Sequence, residues 1–125
     1  MSQDQRLWAV RGATSIGRND ANLVVSGTEE LMRELLSRND LEAERIVSCI
    51  FTSTHDLNAE FPAVAARNLG LDKVPLLCGQ EIDVPGSMRG VVRVLVHYYG
   101  ATDHTPVHTY IGDAQKLRSD LDAAQ

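Results

Sequence analysis

The sequence predicts an α+β fold: one mixed β-sheet with its helices on one face. Three observations carry the prediction. Five runs of β-branched and apolar residues read as strands, only two stretches carry a helical apolar stripe, and their order is β, α, β, α, β, β, β.

Residues 7–13 form the first strand, with Trp8, Val10 and Gly12 on one face and Leu7, Ala9 and Arg11 on the other; Arg11 stands near its C-terminal end. A helix follows. Its core is 28–38, where Leu31, Met32, Leu35 and Leu36 make an i, i+4 stripe. Two starts compete. Ser26 with Glu29 can form a capping box, or Asn19 or Asp20 can cap an earlier turn that brings Leu23 onto the stripe and keeps Gly27 inside; the longer helix is preferred. Asp40 is expected to cap a single turn through Glu44. Residues 46–54 then alternate as a second strand, with a polar exit made of Thr52, Ser53, Thr54, His55 and Asp56.

Pro62 suits a first helical position, which predicts a short helix over 63–69 ended by Gly70, with Phe61 just outside it. Residues 74–78 form the third strand, and Pro75 places it at a sheet edge or marks its start. A loop over 79–87 leads to the longest apolar strand, 91–98, and a polar turn at 100–105 leads to a fifth, 107–111. The remainder reads as a short helical turn and a polar tail. Two amphipathic helices in 125 residues are too few to shield both faces of so apolar a sheet, so the open face is expected to be buried by identical subunits.

At 43% hydrophobic and 23% charged residues, a single domain over 1–125 is expected. No apolar run approaches the ~20 residues of a membrane span, and the N-terminus lacks the order of a signal peptide, which predicts a cytoplasmic protein. Two cysteines, Cys49 and Cys78, are too few for a disulfide scaffold. The net charge of -5, without a basic cluster, argues against nucleic acid as a partner.

Among the four histidines only His104 and His108 are spaced four apart, in a segment that does not read as helix, so no metal site is expected. No serine or cysteine lies in a nucleophile elbow and no glycine-rich phosphate loop follows a strand; no cofactor is expected either. What remains is a set of arginines, Arg11, Arg67, Arg93 and Arg118, with Glu81, Cys78 and Tyr110. Taken singly, Arg67 and Arg118 read as solvated charges, Tyr110 as edge packing and Cys78 as a small core residue. Arg93 stands apart. It interrupts Val91, Val92, Val94, Leu95 and Val96, a run that reads as a buried strand, and its guanidinium needs an anion: a carboxylate of the fold such as Glu81 or Asp83, or a ligand.

Further motifs follow one another in a single register from residue 10 to residue 121. They are Val10-Arg11-Gly12-Ala13-Thr14, Asp56-Leu57, Phe61-Pro62-Ala63 with Arg67 beyond, Val74-Pro75, Cys78, Gln80-Glu81, Asp83-Val84, Arg93, Tyr110, and Leu117-Arg118 with Asp120-Leu121. In these the chain resembles the monofunctional, trimeric chorismate mutases of the AroH class. The resemblance implies a homotrimer whose sheets pack into a barrel-like core, with active sites in the clefts between subunits. Chorismate would rearrange there to prephenate by an intramolecular pericyclic shift, a step toward phenylalanine and tyrosine. Such chemistry needs no nucleophile, metal or obligatory proton transfer; the enzyme must fold the substrate and stabilise charge as the ether bond breaks.

Carried over by position, the resemblance implies that Arg93 donates to the ether oxygen and Glu81 accepts from the ring hydroxyl, with Cys78 close by. Arg11 would bind a carboxylate and Tyr110 would help hold that end. Phe61 and Ala63 would line the pocket, Leu76 and Leu77 would form its wall, and Arg67, Leu117 and Arg118 would cover the substrate from the rim. The chain departs from relatives at Val64, where some carry lysine, at Leu77, where threonine occurs, and at Ser119, often proline. Two other functions compete: a non-catalytic trimeric module binding a small anionic metabolite, and a cleft enzyme acting on small carbonyl or imine compounds. The first has no need of Glu81 and Arg93 together, and the second needs a water-activating group, for which only Glu81 is available.

Overall fold

The computed structural model describes residues 4–117. Its elements are β1 (Gln5–Ser15), α1 (Ala21–Arg38), a 3-10 turn (Ala43–Arg45), β2 (Ile46–Ser53), α2 (Ala63–Asn68), β3 (Leu76–Gln80), β4 (Val91–Ala101), β5 (Thr109–Tyr110) and a second 3-10 turn (Gly112–Lys116). The order is the predicted one. All five strands join one sheet in the order β3-β2-β4-β1-β5.

β4 runs antiparallel to both β1 and β2, so β1 and β2 point the same way with β4 between them. β3 and β5 pair parallel to β2 and β1 and form the two edges. Pro75, which has no N–H for a ladder, lies just before β3, and its carbonyl accepts from Cys49 N at 3.1 Å. β5 is shorter than the expected 107–111. Asn39, at the end of α1, takes both backbone groups of Val107, accepting its N–H at 2.8 Å and donating to its carbonyl at 3.0 Å, and so removes that residue from the ladder.

α1 takes the longer form. Asp20 caps it by accepting from Leu23 N at 3.1 Å, which leaves Ser26 and Glu29 inside the helix rather than in a capping box. Asp40 does not cap the following turn as expected. It sits in the left-handed region at φ 48° and ends α1 instead: Leu41 N donates to Leu36 O at 2.9 Å and Asp40 N to Ser37 O at 3.2 Å, the two bonds that satisfy a helix's last carbonyls. Aspartate tolerates that conformation better than a branched residue does.

Both helices lie on one sheet face. Val24, Leu31, Met32 and Leu35 of α1 join Val10, Phe51, Val92, Val94, Val96 and Tyr98 of the sheet in one core, and each fully buried Leu or Val contributes about 1.5–3 kcal/mol. α1 approaches β1 closely only because Gly12 has no side chain. On the opposite face, the second 3-10 turn covers one end, where Ala13, Val91, Tyr110 and Ala114 are buried with Met88 and Leu117 against them. The rest is open: Leu7 is 48% exposed and Leu77 65%. Among the described residues no helix is long and apolar enough to cross a membrane.

Candidate active site

Strand alternation sends Val92, Val94 and Val96 into the helical face and Arg93, Leu95 and His97 to the open one. The expected burial of Arg93 is therefore corrected: its side chain is 41% exposed. One side of its strand packs under α1, and the other, carrying Arg93, Leu95 and His97, belongs to the open sheet face.

Arg93 has found a carboxylate. Its Nε donates to Glu81 Oε2 at 2.9 Å, and the same oxygen accepts from Thr52 Oγ1 at 2.7 Å. Register explains the meeting. Thr52 is the direct cross-strand neighbour of Arg93, and Glu81 N donates to Ser53 O at 2.9 Å, extending the β2–β3 pairing by one residue beyond β3. Only Nε is used; Nη1 and Nη2 make no hydrogen bond among the described residues.

Arg11 and Tyr110 complete this region. With Thr52, Ile50, Leu95 and Arg93 they line a cavity of about 270 Å³ on the open face. Burial pushes the Tyr110 hydroxyl's pKa up, while Arg11 and Arg93 pull it the other way, so two cations and a neutral phenol share the space. Arg11 N donates to His108 Nδ1 at 3.0 Å, and burial, then Arg11, holds that imidazole below its usual range. Leu117 packs against the buried cluster that includes Tyr110. The arrangement suits an anion: converging cations, a phenol, and one carboxylate already spoken for.

Phe61, Ala63, Arg67, Leu76, Leu77 and Cys78 line a different cavity of about 300 Å³ between α2 and β3, and it shares no residue with the first. Phe61 is 66% exposed, and Arg67 is exposed in the last turn of α2. Cys78 does not join Glu81 within one chain: alternation along β3 packs its side chain against the core beneath the helices. Arg118 lies outside the described residues. Thr52 and His108 were not singled out from the sequence as site residues. Thr52's only signal was its place in a polar strand exit, and cross-strand register gives it meaning. Among the described residues no group of three or more His, Cys, Asp or Glu is placed to hold a metal ion.

Fold and site together define an α+β protein that gathers two arginines and a tyrosine around one cavity of its open sheet face. A profile of the family described as "Chorismate mutase type I" matches residues 7–121. The chain is 39% identical to the chorismate mutase AroH of Thermus thermophilus over 93% of this chain and 97% of that one. To the chorismate mutase AroH of Bacillus subtilis it is 32% identical, over 90% of each. Its structure is similar to that of a chorismate mutase from Clostridium thermocellum, with a TM-score of 0.83 and 44% identity, covering 88% of this chain and 99% of the other. The chain belongs to the type I chorismate mutase family, and it is an isomerase.

Proposed function

We propose that three copies of this chain pack their open sheet faces together and rearrange chorismate to prephenate in the clefts between neighbours. The observation that carries this reading is the division of the site residues into two cavities with no residue in common. One holds the electrostatic groups Arg11, Arg93 and Tyr110, with Glu81 paired to Arg93, and the other holds Phe61, Ala63 and Arg67. Each is half of a site, and a second copy supplies the complement.

In the joined cleft, Arg11 binds a substrate carboxylate by charge-assisted N–H donors, with Tyr110 at the same end. Glu81 accepts from the ring hydroxyl through Oε1, since Oε2 is held by Thr52 and Arg93. The ether C–O bond breaks as a C–C bond forms within the same molecule, and negative charge grows on the ether oxygen. The unused Nη groups of Arg93 donate to that oxygen. Glu81 fixes the guanidinium plane beforehand, so little reorganisation is needed when the charge appears. Phe61 and Ala63 shape the cleft that folds the substrate, and Arg67 with Arg118 draws in the dianion from the rim. Val64 adds no charge there, which leaves capture to the arginines. The cytosol suits such an enzyme, and Cys49 and Cys78 are both free thiols.

The test is the loss of chorismate absorbance with purified protein and no additive, followed by acid conversion of the product to phenylpyruvate. Light scattering should give a trimer. Mixing Arg93→Ala subunits with subunits carrying both Phe61→Ala and Arg67→Ala should restore about a quarter of the sites, because a random trimer then pairs intact halves from two chains. No recovery after demonstrated subunit exchange would refute the shared site.

A further inference from the structure

The polar stretch leaving β2 pins the far end of the loop that begins at Glu81 and leads into β4. Thr54 exchanges two bonds with Val91, its Oγ1 accepting from Val91 N at 3.1 Å and its N–H donating to Val91 O at 3.0 Å. Asp56 Oδ2 accepts from Gly90 N at 3.0 Å. Between them, His55 faces two residues of the loop at once: Nε2 lies 3.0 Å from Arg89 Nη1 and Nδ1 lies 3.2 Å from Asp83 Oδ1.

The chemistry of these contacts gives each ring nitrogen its own partner. A guanidinium N–H only donates, so Nε2 accepts, and the single ring proton sits on Nδ1, facing the Asp83 carboxylate. The imidazole thus spans the loop from its beginning to its end. Glu81 is the last residue held by sheet pairing, through Ser53 O, and the bridge to Asp83 is the next anchor along the chain. At the other end Arg89 precedes Gly90, which Ile16 N also grips by donating to its carbonyl at 2.7 Å.

We propose that His55 is a positioning residue of the active site: by bridging Asp83 and Arg89 it keeps the 81–90 loop closed, and so holds the Glu81 carboxylate where it orients Arg93. This role rests on the proposed chorismate mutase activity. His55 touches neither Glu81 nor Arg93 directly in any hydrogen bond; it lines a small recess with Thr54, Glu81, Asp83 and Arg89, and its other side borders a cavity shared with Phe61 and Cys78. Its action passes through the loop. Misplacing a catalytic group by a fraction of an ångström is costly to kcat and leaves substrate capture by the rim arginines intact.

The experiment combines steady-state kinetics on chorismate with amide hydrogen exchange, on wild type, His55→Ala, His55→Gln and Asp83→Ala. His55→Ala should lower kcat about tenfold with KM within about twofold, and should speed exchange of the 82–90 amides about tenfold without changing that of β1 and β4. Glutamine offers both a donor and an acceptor, so His55→Gln should recover most of kcat. Asp83 is a half-exposed loop residue; Asp83→Ala should reproduce the loss and decides the matter if His55→Ala does not fold. A kcat within twofold of wild type in these variants, or a loss confined to KM, overturns the proposal. Wild-type protein inactive on chorismate would sink the functional reading itself, and an altered 82–90 exchange beside it would tell that failure from the absence of a bridge.

Discussion

Arg93 and Glu81 meet at 2.9 Å on the open face of the sheet, and a third residue, Thr52, holds the carboxylate that orients the guanidinium. Two strands, β2 and β4, and the residue that follows β3 converge there. Glu81 spends one oxygen on both partners, which leaves its other oxygen and two nitrogens of Arg93 aimed at no protein group among the described residues. A pair made only for stability would gain by closing those positions; a pair that serves a ligand gains by leaving them open.

Arg93→Ala should lower kcat by ~10²–10³ or more, the loss typical of removing a donor aimed at developing charge. Arg67→Ala should act mainly on KM, because Arg67 is exposed on the rim of the other cavity. Steady-state kinetics of the two variants measure the split. Equal losses in kcat would remove Arg93 from its assigned role.

Thr52→Val keeps the shape of the side chain and deletes the hydroxyl that donates to Glu81 at 2.7 Å. A hydrogen bond to a charged group is worth about 1.5–3 kcal/mol, so freeing the carboxylate should lower kcat by roughly tenfold or more while the fold, read by circular dichroism, is unchanged. Unaltered kcat would show that Glu81 is held in place without the Thr52 hydroxyl.

Gly12→Ala should destabilise the protein by roughly 1–3 kcal/mol and lower Tm by several degrees. A Cβ there would stand 2.9 Å from the backbone oxygen of Thr109 and 3.1 Å from side chains of Leu31 and Leu35. The leucines can turn but the carbonyl belongs to β5, the strand that carries Tyr110, so activity should fall with stability. Calorimetry and the chorismate assay read both effects.

Stability should decline in alkali. Burial pushes the Cys49 thiol from 9.0 up to about 12, so above pH 9 the unfolded chain releases a proton that the folded chain retains. The contribution is whole below pH 9 and is lost as pH rises toward 12. Burial raises Tyr98 and Tyr110 as well, against the pull of Arg45 on the first and of Arg11 and Arg93 on the second, which adds to the decline. Urea midpoints at pH 8 and pH 10.5 should differ less for Cys49→Ala than for wild type; an identical drop in both would exclude Cys49 as a source.

Several features were legible residue by residue. Asp20 could be read as a cap, Pro75 as the sign of an edge strand, and Gly70, at φ 93°, as the end of α2. Asp40 is ambiguous in the sequence, because an aspartate after a helix serves equally well to start the next turn or to end the last one, and here it ends α1. Asn39 shortened β5 through bonds to a residue far along the chain, which no local pattern announces.

The sequence by itself determined the succession of strands and helices and the sheet's helical face, because periodicity and turn chemistry act over a few neighbouring residues. It also supplied the family's motifs in order. Only the tertiary structure decided that Arg93 faces the open side, that Thr52 ties it to Glu81, and that Phe61 and Arg67 line a separate cavity. Those facts depend on the register between strands, where a shift of one residue turns every side chain to the opposite face.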